Sequence, residues 1–113
     1  MKKILSILIL CIVQNTACAA GYVAFNATIS GVFNTSQFGV NFGVRMSGTG
    51  TGTCAGANAI IQFNPANFPS IEEYKRAFAL ATTAYLTGKR VDIWDNSGTV
   101  TDCSHADFIE IHD

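Results

Sequence analysis

The sequence has little charge, little proline and no long hydrophobic run. Only 13% of its 113 residues are charged, 49% are apolar, and two are proline. This balance excludes an intrinsically disordered chain, which needs low hydrophobicity and high net charge. The formal net charge is −1, from 7 basic and 8 acidic residues. The chain therefore also lacks the clustered excess of Lys and Arg that nucleic-acid binding requires, and we expect no nucleic-acid partner.

The most apolar stretch, residues 4–13, is shorter than the ~20 residues that cross a bilayer as a helix. It follows Lys2 and Lys3, and it precedes a polar step and the small residues 17–20. This layout predicts a secretory signal peptide over residues 1–19, cleaved after Ala19. A buried N-terminal helix is the alternative. We expect a periplasmic or secreted mature chain with no membrane span.

Two of the four cysteines, Cys11 and Cys18, lie in the predicted signal peptide. Cys54 and Cys103 remain, an even number in an oxidising compartment, so we predict that they form one disulfide. In the chain-entropy model, closing a loop of about 50 residues contributes roughly 4 kcal/mol. A metal site is disfavoured because the pair lacks the close spacing of zinc-binding cysteines. A catalytic thiol beside His105 is the other alternative.

The first half of the mature chain shows the alternation of half-buried strands. Residues 22–29 and 38–46 each place apolar side chains on one face, and residues 59–63 form a shorter apolar run. Residues 31–37 are rich in Gly, Asn, Thr and Ser, which predicts a turn. Residues 47–56 are rich in Gly and Thr and predict a flexible loop, whose end Cys54 should anchor. The length and the lack of linkers indicate a single domain over residues 20–113.

One helix is predicted over residues 71–87. Ser70 and Glu73 form a capping box at its start, because each side chain can bond to the backbone amide of the other. Gly88 stands where a left-handed C-cap residue is expected. Apolar side chains spaced by three and four predict the face that packs on the core. They are Ile71, Tyr74, Phe78, Ala81 and Tyr85.

Two further strands follow the helix, over residues 89–95 and 108–111, whereas residues 99–107 show no assignable pattern. The predicted element order is β-β-β-α-β-β, in a mostly β chain with one helix. A helix between the third and fourth of five strands is the order of the OB-fold, a small, partly open five-stranded barrel. Another α+β roll with the same order is the alternative.

The sequences Tyr-Lys-Arg-Ala at 74–77 and Ala-Tyr-Leu-Thr-Gly-Lys-Arg-Val-Asp-Ile-Trp at 84–94 are similar to a helix and the strand after it in a known family. This family is the subtilase-cytotoxin B-subunit-like small exported bacterial proteins, and the resemblance covers residues 63–94. It implies an OB-fold subunit that assembles into a ring-shaped homopentamer and binds cell-surface glycans.

Trp94, the only tryptophan, is predicted to face away from Val91 and Ile93, towards solvent. An exposed aromatic ring beside acids and amides can hold a sugar, because the ring stacks on C–H groups while the polar groups bond to hydroxyls. The alternative is that Trp94 packs under residues 99–107 or against a partner, since large aromatic side chains are mostly buried. The ligand-binding candidates are Trp94, Asp92, Asp95, Asn96, Asn41 and Arg45.

His105, Asp107 and His112 are the one set with metal-binding or acid–base potential, but they lack any tight motif. A solvated acidic C-terminus is the favoured interpretation, and we expect no metal, no cofactor and no enzyme activity. The sequence therefore predicts a small exported binding module, with cell-surface glycans as the expected ligands. A protein-interaction or inhibitor module without sugar binding is the first alternative, and a small hydrolase that uses His105 and Asp107 is the second.

Overall fold

The computed structural model describes residues 21–35, 41–96 and 103–113. The predicted signal peptide, including Cys11 and Cys18, lies outside these residues. Six strands and one α-helix follow each other along the described chain. They are β1 (Tyr22–Ala27), β2 (Ile29–Thr35), β3 (Asn41–Met46), β4 (Ile60–Phe63), α1 (Ile71–Thr87), β5 (Arg90–Trp94) and β6 (Phe108–His112), with a 3-10 turn at Pro65–Asn67 between β4 and α1.

The strands form two antiparallel three-stranded sheets, one in the order β1-β5-β6 and the other in the order β2-β3-β4. The chain passes from one sheet to the other at Thr28, between β1 and β2. The fold is therefore mostly β with one helix, as predicted. Strand pairing among the described residues closes no barrel, so the five-stranded OB barrel is not confirmed.

The turn predicted at residues 31–37 is wrong over its first part, because β2 continues through Thr35. Six residues of β2 pair in register with β3, from Ile29 opposite Met46 to Thr35 opposite Asn41. Gly and Asn alone favour a turn, but β3 supplies hydrogen-bonding partners for the backbone of β2. The tertiary context therefore overrides the local turn preference. Residues 36–40, which include the rest of the predicted turn and the start of the predicted second strand, lie outside the described chain.

The predicted helix is confirmed at both ends. Ser70 Oγ accepts the amide of Glu73 at 3.3 Å, and Gly88, with φ 71°, donates its amide to the Ala84 carbonyl at 2.9 Å. The predicted core face is confirmed at Ala81, which is buried, and at Tyr74, which packs against the core, but the other buried residues of α1 are Ala77 and Ala84. The small side chains form the centre of the buried face, and bulkier residues lie on its flanks. Ile71, Phe78 and Tyr85 are accordingly 53%, 41% and 45% exposed.

The Gly/Thr segment 47–56 forms no helix or named strand, as expected of a loop, and it runs along the free edge of β1. Phe25 and Thr51 exchange both backbone hydrogen bonds, at 2.7 and 3.0 Å, and the Cys54 amide donates to the Val23 carbonyl at 2.8 Å. The predicted disulfide between Cys54 and Cys103 is confirmed, with a sequence separation of 49 residues. It ties the end of this segment to the stretch that leads into β6.

Residues 103–106 connect the two sheets. The Gln62 amide donates to the Cys103 carbonyl at 2.7 Å, and the Ala106 amide donates to the Gln62 carbonyl at 3.3 Å. Phe63 and Ala106 form an isolated parallel bridge. In the described part of the chain, no helix is long and apolar enough to cross a membrane.

Candidate functional site

The sequence-predicted ligand residues do not form one site in the structure. Trp94 and Asn96 border a shallow pocket at one end of the β1-β5-β6 sheet. Asp92 lies further along β5, whereas Asn41 and Arg45 lie on β3 in the other sheet.

Three aromatic side chains stand in one row across the β1-β5-β6 sheet. Tyr22 pairs with Trp94, and Trp94 pairs with Phe108, so the three residues lie directly opposite one another. The ring centroids are 4.3 Å apart between Tyr22 and Trp94 and 6.3 Å apart between Trp94 and Phe108, both with edge-on geometry. We call Tyr22, Trp94 and Phe108 the aromatic row. With Asn96 they line a pocket of about 260 Å³.

The aromatic row is half open to solvent. Tyr22 and Phe108 are 41% and 43% exposed, and Phe25, whose ring lies 5.0 Å from that of Tyr22, extends the surface. Trp94 is half-buried, with its Nε1 enclosed and without a hydrogen-bond partner among the described residues. The Trp94 side chain is thus neither fully exposed, as predicted, nor fully buried, as in the alternative. The sequence did not identify Tyr22 or Phe108 as site residues, because only the strand register aligns them with Trp94.

Asn96 is held beside the row by Asp107. Its backbone amide and its side-chain Nδ2 both donate to Asp107 Oδ1, at 3.2 and 3.1 Å, while the Asp107 amide donates to the Trp94 carbonyl at 3.1 Å. Burial raises the pKa of Asp107, the hydrogen bonds from Asn96 oppose this shift, and the charge of Asp95 adds to it. The outcome is a fixed side-chain amide at the rim of an aromatic pocket.

Asp92 and Asp95 are buried rather than exposed beside Trp94. Asp95 is 0% exposed, and its amide donates to the Gly21 carbonyl at 3.0 Å. Asp92 is 6% exposed, and its Oδ1 accepts the Asn26 amide at 2.7 Å and contacts His112 Nε2 at 3.0 Å. The hydrogen bond to Asp92, with a smaller contribution from the Asp113 carbonyl, raises the pKa of His112. Asp92 therefore links neighbouring strands through these two contacts.

Arg45 is exposed on β3, and its carbonyl accepts the Ser30 hydroxyl at 3.2 Å.

Asn41, at the start of the same strand, is only 3% exposed and borders a second, polar cleft of about 470 Å³. We call this the amide cleft, because side-chain amides form most of its wall. It is lined by Asn41, Gln62, Asn64, Asn67, Ser104 and His105. Apart from Asn41, these residues were not predicted to bind a ligand.

The structure does not bring His105, Asp107 and His112 together. His112 contacts Asp92, Asp107 binds Asn96, and His105 Nδ1 lies 3.3 Å from Ser104 Oγ. Over residues 21–35, 41–96 and 103–113, no cluster of three or more His, Cys, Asp or Glu side chains is arranged to hold a metal ion.

A family model described as a family of unknown function (DUF5992) matches residues 3–113 of the chain. No curated protein and no solved structure matches it.

Proposed function

The chain belongs to the DUF5992 family, and we propose that it is a small exported module that binds carbohydrate at the aromatic row. The cross-strand alignment of Tyr22, Trp94 and Phe108 is the observation that carries this proposal. The apolar N-terminal stretch with its preceding lysines and the Cys54–Cys103 disulfide support export to the periplasm or the cell exterior.

The shape and chemistry of the row suit a sugar ring. The Tyr22 and Trp94 rings meet at an interplanar angle of 73°, so they form a corner with two apolar walls. A pyranose can pack its C–H face on one wall, while Asn96 at the rim bonds to a hydroxyl. Binding sites commonly combine mostly apolar walls with a few fixed polar groups, and Asp107 fixes the amide of Asn96.

We also propose that the two sheets are parts of an OB-like barrel. Only Thr28 separates β1 from β2, so the two strands act as one bent strand that serves both sheets. The parallel bridge between Phe63 and Ala106 links β4 to the approach of β6. Counting β1 and β2 as one, the helix lies between the third and fourth strands, as in the OB-fold.

A protein-interaction module is the second candidate function. An apolar groove of about 390 Å³ lies between α1 and β2, the edge strand of its sheet. Leu86 in this groove is 74% exposed. A protein partner or a second copy of the chain, as in the pentamer implied by the toxin-like resemblance, would cover this surface. Light scattering on the mature protein tests whether a second copy covers this surface, since a stable monomer at all concentrations would exclude self-association.

A glycan array on mature, oxidised protein tests the carbohydrate proposal. We expect binding to be lost in Trp94→Ala and Tyr22→Ala and kept in Tyr85→Ala, which removes an exposed aromatic side chain outside the row. Trp94 is the only tryptophan, so a bound sugar should also change the intrinsic fluorescence. An empty array, or full binding by a folded Trp94→Ala variant, would reject the proposal.

A further inference from the structure

The amide cleft is a polar site with a wall of neutral side chains. Its six lining residues contribute four side-chain amides, one hydroxyl and one imidazole, and none of them is Asp, Glu, Lys or Arg. Its volume of about 470 Å³ falls in the range of small-molecule sites, roughly 300–1,000 Å³. None of these residues belongs to the aromatic row.

Rigid elements hold the wall of the cleft. Ser104 and His105 follow the disulfide-bonded Cys103, whose carbonyl accepts the Gln62 amide of β4 at 2.7 Å. On the other side, Asn64 Oδ1 accepts the Ala66 amide at 2.9 Å and caps the 3-10 turn that ends at Asn67. The disulfide, the strand and the capped turn therefore hold the backbone of the cleft wall in place.

Two of the amides have unfilled hydrogen-bonding capacity. Asn41 is 3% exposed, and its Nδ2 donates to Gln62 Oε1 at 3.3 Å. Asn41 Oδ1 and Asn67 Nδ2 are both buried and have no hydrogen-bond partner within the described chain. Buried polar atoms without a partner are rare, because they lose their bonds to water without compensation. The two residues that carry this unfilled acceptor and this unfilled donor both line the cleft.

We propose that the amide cleft binds a neutral, polyhydroxylated ligand, namely a saccharide unit. A hydroxyl both donates and accepts, so a sugar can donate to Asn41 Oδ1 and accept from Asn67 Nδ2 once a rotation of each side chain brings these buried atoms to the cleft surface. Asn64 Oδ1 already caps the 3-10 turn, so its Nδ2 supplies a further donor. A charged ligand would find no carboxylate, ammonium or guanidinium group among the lining residues, and an aliphatic one would leave both orphan atoms unfilled. The proposal holds whether or not the aromatic row binds sugar.

Side-chain amide NMR tests the proposal directly. The oxidised mature protein, labelled with ¹⁵N, is titrated with glucose, galactose, mannose, N-acetylglucosamine and N-acetylgalactosamine, each up to tens of millimolar. We expect saturable shifts of the NH₂ signals of Asn41, Gln62 and Asn67 with at least one sugar. Acetate, an anion, and acetamide, a small neutral amide without hydroxyls, serve as probes of other ligand chemistries.

Variants separate binding from folding. Asn41→Leu replaces a buried amide by an apolar side chain of similar size, and we expect it to weaken the cleft titration at least tenfold without lowering the melting temperature. Asn67→Ala, which removes the orphan donor, should have the same effect on binding. Asn34→Ala is the matched control, because Asn34 is exposed on β2 and does not line the cleft. Trp94→Ala should leave the cleft titration unchanged.

Three results would overturn the proposal. The first is no shift of the cleft amides with any sugar, and the second is shifts confined to residues of the aromatic row, which would support the row alone. The third is saturation by acetate or acetamide in place of sugars, which would assign the cleft to another chemistry. If Trp94→Ala abolishes the sugar-induced NMR shifts of the aromatic row but leaves those of the cleft amides intact, the result supports the proposal, because the cleft then binds sugar independently of the row.

Discussion

His112 Nε2 lies 3.0 Å from Asp92 Oδ1, the same oxygen that accepts the Asn26 amide at 2.7 Å. One buried carboxylate thus joins three strands, since Asn26 is on β1, Asp92 on the central strand β5 and His112 at the end of β6. The next residue, Asp113, contacts Lys89 Nζ at 3.0 Å. His112 is therefore tied to the sheet by a side-chain contact, whereas the Asp113 side chain after it is 94% exposed.

We expect the His112–Asp92 pair to make the stability of the protein depend on pH. The pKa of His112 is raised above its ordinary value of 6.5 by the hydrogen bond to Asp92 and by the Asp113 carbonyl, with Glu110 adding favourable charge. A group whose pKa is higher in the folded than in the unfolded protein contributes its full stabilisation at pH values below its unfolded-state pKa. This contribution is lost as the pH rises through its folded-state pKa. Melting temperatures should therefore fall from about pH 6 towards about pH 8.

His112→Gln should remove most of that decline, because glutamine can donate a hydrogen bond to Asp92 without titrating. His105→Gln is the control and should keep it, since His105 contacts Ser104 and lies away from Asp92. A pH profile that is the same in wild type and His112→Gln would contradict the assignment.

Removing the disulfide should destabilise the fold. The Cys54–Cys103 bond closes a long loop, so we expect the Cys54→Ala/Cys103→Ala variant to lose about 2–4 kcal/mol of unfolding free energy. Urea unfolding measures the loss. Reductant should lower the stability of the wild type to a similar extent and leave the variant unchanged. Equal stability of the oxidised wild type and the variant would show that the bond does not restrain the unfolded chain.

Gly50 should not tolerate a side chain. Its φ is +85°, and a Cβ there would lie 2.7 Å from the Asn26 carbonyl oxygen and 2.8 Å from Ala27 Cα. Gly50→Ala should therefore cost about 1–3 kcal/mol and loosen residues 47–56 from β1. Gly56→Ala is the matched control in the same segment, because a Cβ there meets no atom within 4 Å. Thermal unfolding of both variants checks this, and equal melting temperatures would contradict it.

The N-cap of α1 should contribute measurably to stability. Ser70→Ala removes the acceptor of the Glu73 amide, and we expect a loss of about 1 kcal/mol. Ser70→Asp should keep the stability, because a carboxylate accepts the same bond and suits the positive end of the helix dipole. Chemical unfolding followed by far-ultraviolet circular dichroism distinguishes the two variants. A loss of equal size in Ser70→Asp would mean that the cap bond is not the cause.

Elements governed by neighbouring residues were predictable. The bounds of α1 follow from Ser70, Glu73 and Gly88, which satisfy the backbone groups at the helix ends within one turn of chain. The disulfide follows from the count of cysteines left after the predicted signal. Trp94 and Asn96 were recognised as site candidates from the alternation of β5 and the polar residues after it.

The composition of the two candidate sites depends on contacts between distant residues. Tyr22, Trp94 and Phe108 become one row only through the registers of β1 with β5 and β5 with β6. The amide cleft likewise needs β3, β4 and the residues after Cys103 to meet. Strand alternation places a side chain on one face or the other, but the side chain can still be buried beside a partner from another strand, as Asn41 is beside Gln62 and Asp92 beside His112. Local sequence patterns can therefore define a helix with its caps, whereas burial and binding geometry depend on which distant strands pair.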